Sequence, residues 1–233
     1  MKNETIKPET IKTETAKKVN TVKKPETTKA KPAPKAKPET VKQETIINPF
    51  TRALMVRKEL APVEQHKQIE HALHALSDNV VTAAKKVMTQ TDFDAVANML
   101  QNSDKKAHSG YMQVKSIVKL ADIVRALAQG IRPTSNNLCV AISALLHNGN
   151  HANIKELIVA QSRAARETDM MNVRSDYQAR SATYTIGTAS SQTGQVRDVM
   201  RVLDFATVNK GKRNDDLILN EYGLKVLGAV FGK

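Results

Sequence analysis

Seven of the eleven arginines lie between residues 163 and 213, at Arg163, Arg166, Arg174, Arg180, Arg197, Arg201 and Arg213, and Lys210 and Lys212 join them. A guanidinium presents a planar fork of donors that meets a phosphate, or the edge of a guanine, with two parallel hydrogen bonds. The chemistry offered by this cluster is therefore non-covalent capture of an acidic partner. Other candidate groups are weaker. His66, Glu70 and His74 stand four residues apart along one edge of an expected helix, but no fourth ligand lies nearby, so they read as polar flank and no metal is expected. His147 and His151 flank an Asn-Gly turn, where their spacing has no helical meaning. The chain has no Gly-rich phosphate loop, no pair of zinc-type cysteines and no nucleophile elbow. With no catalytic constellation, a non-enzymatic role without a cofactor is the expectation.

The arginines need a rigid frame, and the stretch Ser190 to Phe231 supplies one. Val196, Val199, Met200 and Leu203 follow the i, i+3, i+4, i+7 spacing of an amphipathic helix, with Ser190 or Ser191 as its cap. That stripe leaves Gly194, Arg197, Asp198 and Arg201 on the outer side. Ala206-Thr207-Val208 and Leu217-Ile218-Leu219 then bracket a polar, Gly-containing basic run, the pattern of a β-hairpin. Asn220 is placed to cap a closing helix through Leu224 and Leu227.

Helix, basic hairpin, helix in this order resembles the back half of a winged helix-turn-helix domain, and with the helices before it the resemblance covers roughly Ser135 to Phe231. It implies double-stranded DNA as partner. On that reading Gln192, Thr193 and Gln195, in the first turns of the recognition helix, reach base edges together with Arg197 and Arg201, while Lys210, Lys212 and Arg213 at the wing tip meet phosphate or the minor groove. Asp198 is a counter-signal, because a carboxylate is repelled by phosphate. The chain also departs from the family. A short turn normally joins the second and third helices, yet about thirty residues separate Ile158 from Ser190.

Upstream, helices are expected over Pro62 to Met88, from Thr91-Asp92-Phe93, and from Tyr111 to Gln129, closed by Gly130 and Pro133. Ser135 or Asn136, and then Asn153, start two more. In the first of these, Ile69, Leu73, Leu76, Val80, Ala83 and Val87 form a narrow seam that fits either packing inside the monomer or a homodimer through the 62–88 helix. Residues 1–47 hold twelve Lys, six Glu and five Pro but no Gly and no aromatic residue, and Lys-Pro-Glu-Thr occurs three times. Such a segment buries too little apolar surface to offset ordering, so a disordered tail is expected. Its middle resembles the Lys-Ala-Pro tails of linker histones.

The net charge of +13 favours nucleic acid over an anionic membrane, and no apolar run is long enough to span a bilayer. Cys139, the only cysteine, reads as a small core residue in a reducing compartment. Trp is absent and aromatic residues are few, which disfavours a single-strand binder built on stacked bases. The expectation is a mainly α protein: a disordered tail (1–47), a helical region (48–133) and a winged-helix-like domain (134–233) with a small β-hairpin. Its expected role is non-catalytic binding of double-stranded DNA, as a transcriptional regulator or architectural factor, in the cytoplasm at a nucleoid or in a host cell. The second class fitting the same residues is a structural or adaptor protein of a viral or other macromolecular assembly, its helices contacting protein.

Overall fold

The computed structural model describes residues 47–102, 112–162, 184–209 and 216–232. Residues 1–46 of the expected disordered tail lie outside this set, as do the arginines at 163, 166, 174 and 180 and the basic residues at 210, 212 and 213. Five helices come first: α1 (Pro49–Leu60), α2 (Val63–Ala75), α3 (Asp78–Val87), α4 (Phe93–Gln101) and α5 (Val114–Gln129). Local chemistry sets most of their ends. The Asn48 side chain accepts from the Thr51 amide at 2.9 Å ahead of Pro49, and the Asp92 carboxylate accepts from the amides of Asp94 and Ala95. Gly130, left-handed at φ 64°, closes α5 while the Ile131 amide reaches back to the Ala126 carbonyl, a Schellman-type end.

The single helix expected over 62–88 is two helices. The chain leaves helical geometry at Leu76 (ψ 42°) and Ser77 (ψ 160°) and restarts at Asp78. The restart shifts the buried register by one position. Val81, Ala84 and Met88 are buried in place of Val80, Ala83 and Val87, and Val87 is 41% exposed. Ile69 and Leu76 are fully buried, and α2 and α3 both pack on α5. Ile69 and Leu76 are thus packed within the chain, and the continuous seam expected over 62–88 is interrupted at Leu76 and Ser77.

The second half runs α6 (Asn136–His147), β1 (His151–Asn153), α7 (Ile154–Gln161), α8 (Ile186–Val202), β2 (Ala206–Asn209), β3 (Asp216–Leu219) and α9 (Glu221–Phe231). Asn153 caps α7 through a full capping box with Glu156, and Asn220 caps α9 by accepting from the Gly223 amide at 2.7 Å. The foreseen hairpin is present as β2 and β3. An unforeseen third strand, β1, adds to its other side, giving an antiparallel sheet of order β1-β3-β2 with His151 opposite Ile218 and Thr207 opposite Ile218 from the far side. Gly149 and Asn150, both at positive φ, turn the chain from α6 into β1.

One hydrophobic core runs from Phe50 to Phe231. Residues 45–233 form one contact unit, so the boundary expected near 133 does not separate two cores. The sequence of α5 explains this. Apolar residues surround most of its circumference, and eleven of its sixteen residues are buried, against α2 and α3 on one side and α8 and α9 on the other. Cys139 is buried in this core with its thiol donating to the Pro133 carbonyl, and burial pushes its pKa up to about 11. Among the described residues, no helix is long and apolar enough to cross a membrane.

Candidate nucleic-acid interface

Helix α8 begins at Ile186 rather than Ser191, and Thr185, not a serine, caps it by accepting from the Thr188 amide. Gly187, Thr188, Ser190 and Ser191 are modest helix formers or worse, so their pattern reads as a cap although they lie within the helix. Ala189, Val196, Val199, Met200 and Leu203 are fully buried and hold the helix to the core. The opposite side is an exposed strip containing Gly187, Ser190, Ser191, Gly194 and Arg201, with Arg197 and Asp198 half-buried at its edges.

The residues expected to reach base edges are divided by this geometry. Arg201 is on the exposed strip, Arg197 at its edge, and Gln192 is half-buried. Thr193 and Gln195 are not on the surface, being 1% and 5% exposed. Thr193 turns toward α7, where its hydroxyl accepts from the Gln161 carboxamide at 3.0 Å. Because α8 starts at Ile186, the three polar residues at 192, 193 and 195 also sit beyond its first turn; the exposed first turn is Ile186, Gly187 and Thr188. Lys210, Lys212 and Arg213 fall between β2 and β3 in the sequence and lie outside the described residues.

A neighbour that sequence reading did not pair with this strip is the start of α5. Gln113 and the α8 residues Ser191, Gly194, Gln195, Arg197, Asp198 and Arg201 line a polar cleft of about 290 Å³. Across it the Ser116 hydroxyl donates to the Asp198 carboxylate at 3.3 Å. Burial raises the Asp198 pKa, opposed by that hydrogen bond and by Arg201 and Arg197. The counter-signal noted in the sequence is thereby muted: Asp198 is tied to α5 and flanked by two guanidinium groups.

Two more charges were missed, although polar residues at 119 and 122 in the apolar pattern of α5 mark them. Lys119 is 8% exposed, and burial is the main cause lowering its pKa to about 8. The Asp122 carboxylate accepts from Arg125, from the amides of Thr134 and Ser135 and from the Thr134 hydroxyl, fixing the turn into α6. In α2, His66 bonds the Ala61 carbonyl and Glu70 pairs with Lys58 at 2.6 Å. No group of three or more ligand-type side chains that could hold a metal occurs among the described residues.

No protein family model, characterised protein or solved structure matches this chain significantly.

Proposed function

We propose that this protein binds double-stranded DNA without catalysis, through a winged helix arrangement built from α6, β1, α7, α8 and the β2–β3 hairpin. The observation that carries the proposal is the sheet order β1-β3-β2. A strand between the first two helices pairs with the second strand of a hairpin that follows the third helix. This order is compatible with the proposed winged helix, and the hairpin directly follows a helix whose exposed strip bears Arg201. The net charge of +13 supplies the attraction to phosphate. The segment 163–183, with its four arginines, stands where the family has a short turn and adds positive charge between the second and third helices.

The test is retention of duplex DNA, single-stranded DNA and RNA in a mobility-shift assay over a range of salt. Duplex should be held best, with affinity falling steeply as salt rises. Absence of any duplex complex at low salt would overturn the proposal. One observation favours the second reading, a structural or adaptor protein. Met55, Val56 and Leu60 on α1 and Val63 at the start of α2 are 47, 37, 61 and 79% exposed, an apolar surface of the kind that contacts protein. Salt-insensitive association with a protein would move that reading ahead.

A further inference from the structure

Helix α1 divides into two faces. Phe50, Ala53, Leu54 and Arg57 are buried against the core, and helical spacing gathers Arg52, Met55, Val56 and Glu59 on the opposite side, all four exposed. Two apolar side chains thus stand between two opposite charges, and Leu60 and Val63 carry the apolar surface past the end of the helix. Local chemistry does not account for the charges. Arg52 is the fourth residue of α1 and Glu59 the next to last, so each meets the helix dipole with the unfavourable sign. Neither side chain makes a hydrogen bond or ion pair among the described residues, whereas the neighbouring Lys58 is paired with Glu70.

This strip is complementary to itself. The midpoint between Arg52 and Glu59 is also the midpoint between Met55 and Val56. With a two-fold axis at that point, a second α1 running antiparallel sets Arg52 against the partner's Glu59 and Glu59 against the partner's Arg52. Met55 then meets the partner's Val56 at the centre, and each charge lies about 5 Å along the helix from the axis.

We propose that two copies of this chain pair through α1, antiparallel and two-fold symmetric. Burial of Met55, Val56 and the flanking Leu60 supplies the attraction. The crossed ion pairs fix the direction, because parallel helices would oppose like charges at both ends. The surface is separate from the 62–88 seam expected from sequence, whose Ile69 and Leu76 are buried in the core. It also lies outside the winged helix arrangement proposed for DNA. One helix face makes a small interface, below about 1,200 Å² in total, so the dimer is weak and forms at high protein concentration.

The test is sedimentation velocity of the full chain over a range of concentrations, at physiological and at high salt. The mass should move from one chain toward two as concentration rises, and the dimer should survive high salt because its main attraction is apolar. Arg52→Glu and Glu59→Arg should each weaken pairing by about tenfold or more, since each places like charges opposite one another. Both residues are exposed, so thermal melts should stay close to the parent's. An equimolar mixture of the two single variants should pair again, and so should the chain carrying both reversals. Should a reversal fail to fold, Met55→Ser decides: it should weaken pairing about tenfold with an unchanged melt. A chain that stays single up to about 1 mM overturns the proposal, as does a single reversal that pairs like the parent or a mixture that pairs no better than its components. A monomer whose α1 face retains a different protein overturns it too, and assigns that face to the adaptor reading. Duplex binding by a chain that never pairs sinks this inference and leaves the DNA reading standing; pairing by a chain that holds no duplex does the reverse.

Discussion

The hydroxyls of Thr91 and Tyr222, 131 residues apart in the chain, meet at 2.9 Å in the buried interior. Thr91 also bonds the carbonyl of Leu203 at 3.0 Å, and the Tyr222 ring stacks edge-on against Phe205. The turn before α4 is thereby fastened both to the end of α8 and to the start of α9. Tyr222→Phe should cost about 1 kcal/mol, and Thr91→Val slightly more because it strips two bonds. In a double-mutant cycle read by urea unfolding, the two losses should be less than additive. Full additivity would show that the hydroxyl pair contributes nothing jointly. Unfolding should also be a single transition, as one core requires.

Gly223 sits where α9 passes the backbone of Phe205. A methyl group built on Gly223 would lie inside contact distance of the Phe205 carbonyl, which is backbone and cannot swing aside. Gly223→Ala should destabilise the protein by roughly 1–3 kcal/mol. Gly194, in mid-helix on the exposed strip of α8, has nothing within 4 Å of such a methyl. Gly194→Ala should instead stabilise by about 0.5–1 kcal/mol. Thermal melts of the two variants check the opposite signs.

Met200 and Arg201 are neighbours with opposite environments, the first fully buried and the second exposed. Met200→Ala should lower stability by about 2–5 kcal/mol. Arg201→Ala should leave stability within about 0.5 kcal/mol. If Arg201 makes a bidentate base contact, its loss should weaken duplex binding by about 1–3 kcal/mol. Undiminished duplex binding by the folded Arg197→Ala, Arg201→Ala chain would remove α8 as the DNA-contacting element.

Lys119 gives stability a pH dependence of defined sign. Burial lowers its pKa from 10.5 to about 8, so between those values the unfolded chain binds more protons than the folded one. Stability contributed at this site therefore rises as pH climbs from about 8 to 10.5 and is flat below that window. Lys119→Met should raise stability at neutral pH and flatten the slope in that range. Urea unfolding at a series of pH values measures both, and an unchanged slope would exclude Lys119 as its source.

The parts of this fold that were legible in sequence are those fixed by neighbours along the chain. Asp92, Asn153 and Asn220 announce helix starts because a cap acts on amides two or three residues away. The stripe Val196 to Leu203 announces a buried face because its period is local. Errors arose where a distant partner decided. Leu76 and Val80 continue an apolar spacing through a break that Ser77-Asp78 marks only weakly. His151-Ala152-Asn153 is too short to show alternation and is a strand because β3 lies beside it. Thr193 and Gln195 look like surface residues by polarity, yet Gln161 hydrogen-bonds the first, and the second is buried beside the cleft bordered by α5. The cleft joins residues some eighty positions apart, as the Ser116–Asp198 bond does, and no local pattern could show it.

The placement of α5 also governs how the chain matures during synthesis. Leu120, Ile123, Val124 and Leu127 leave the ribosome long before α8 and α9, which help to cover them. Until those last helices emerge, a nascent chain carries this apolar surface against water, open to proteases and to chaperones. A ribosome-stalled chain ending near residue 183, long enough for α5 to have cleared the exit tunnel while α8 and α9 are still unmade, should accordingly be cut within α5 by a dilute protease that leaves the finished protein intact there.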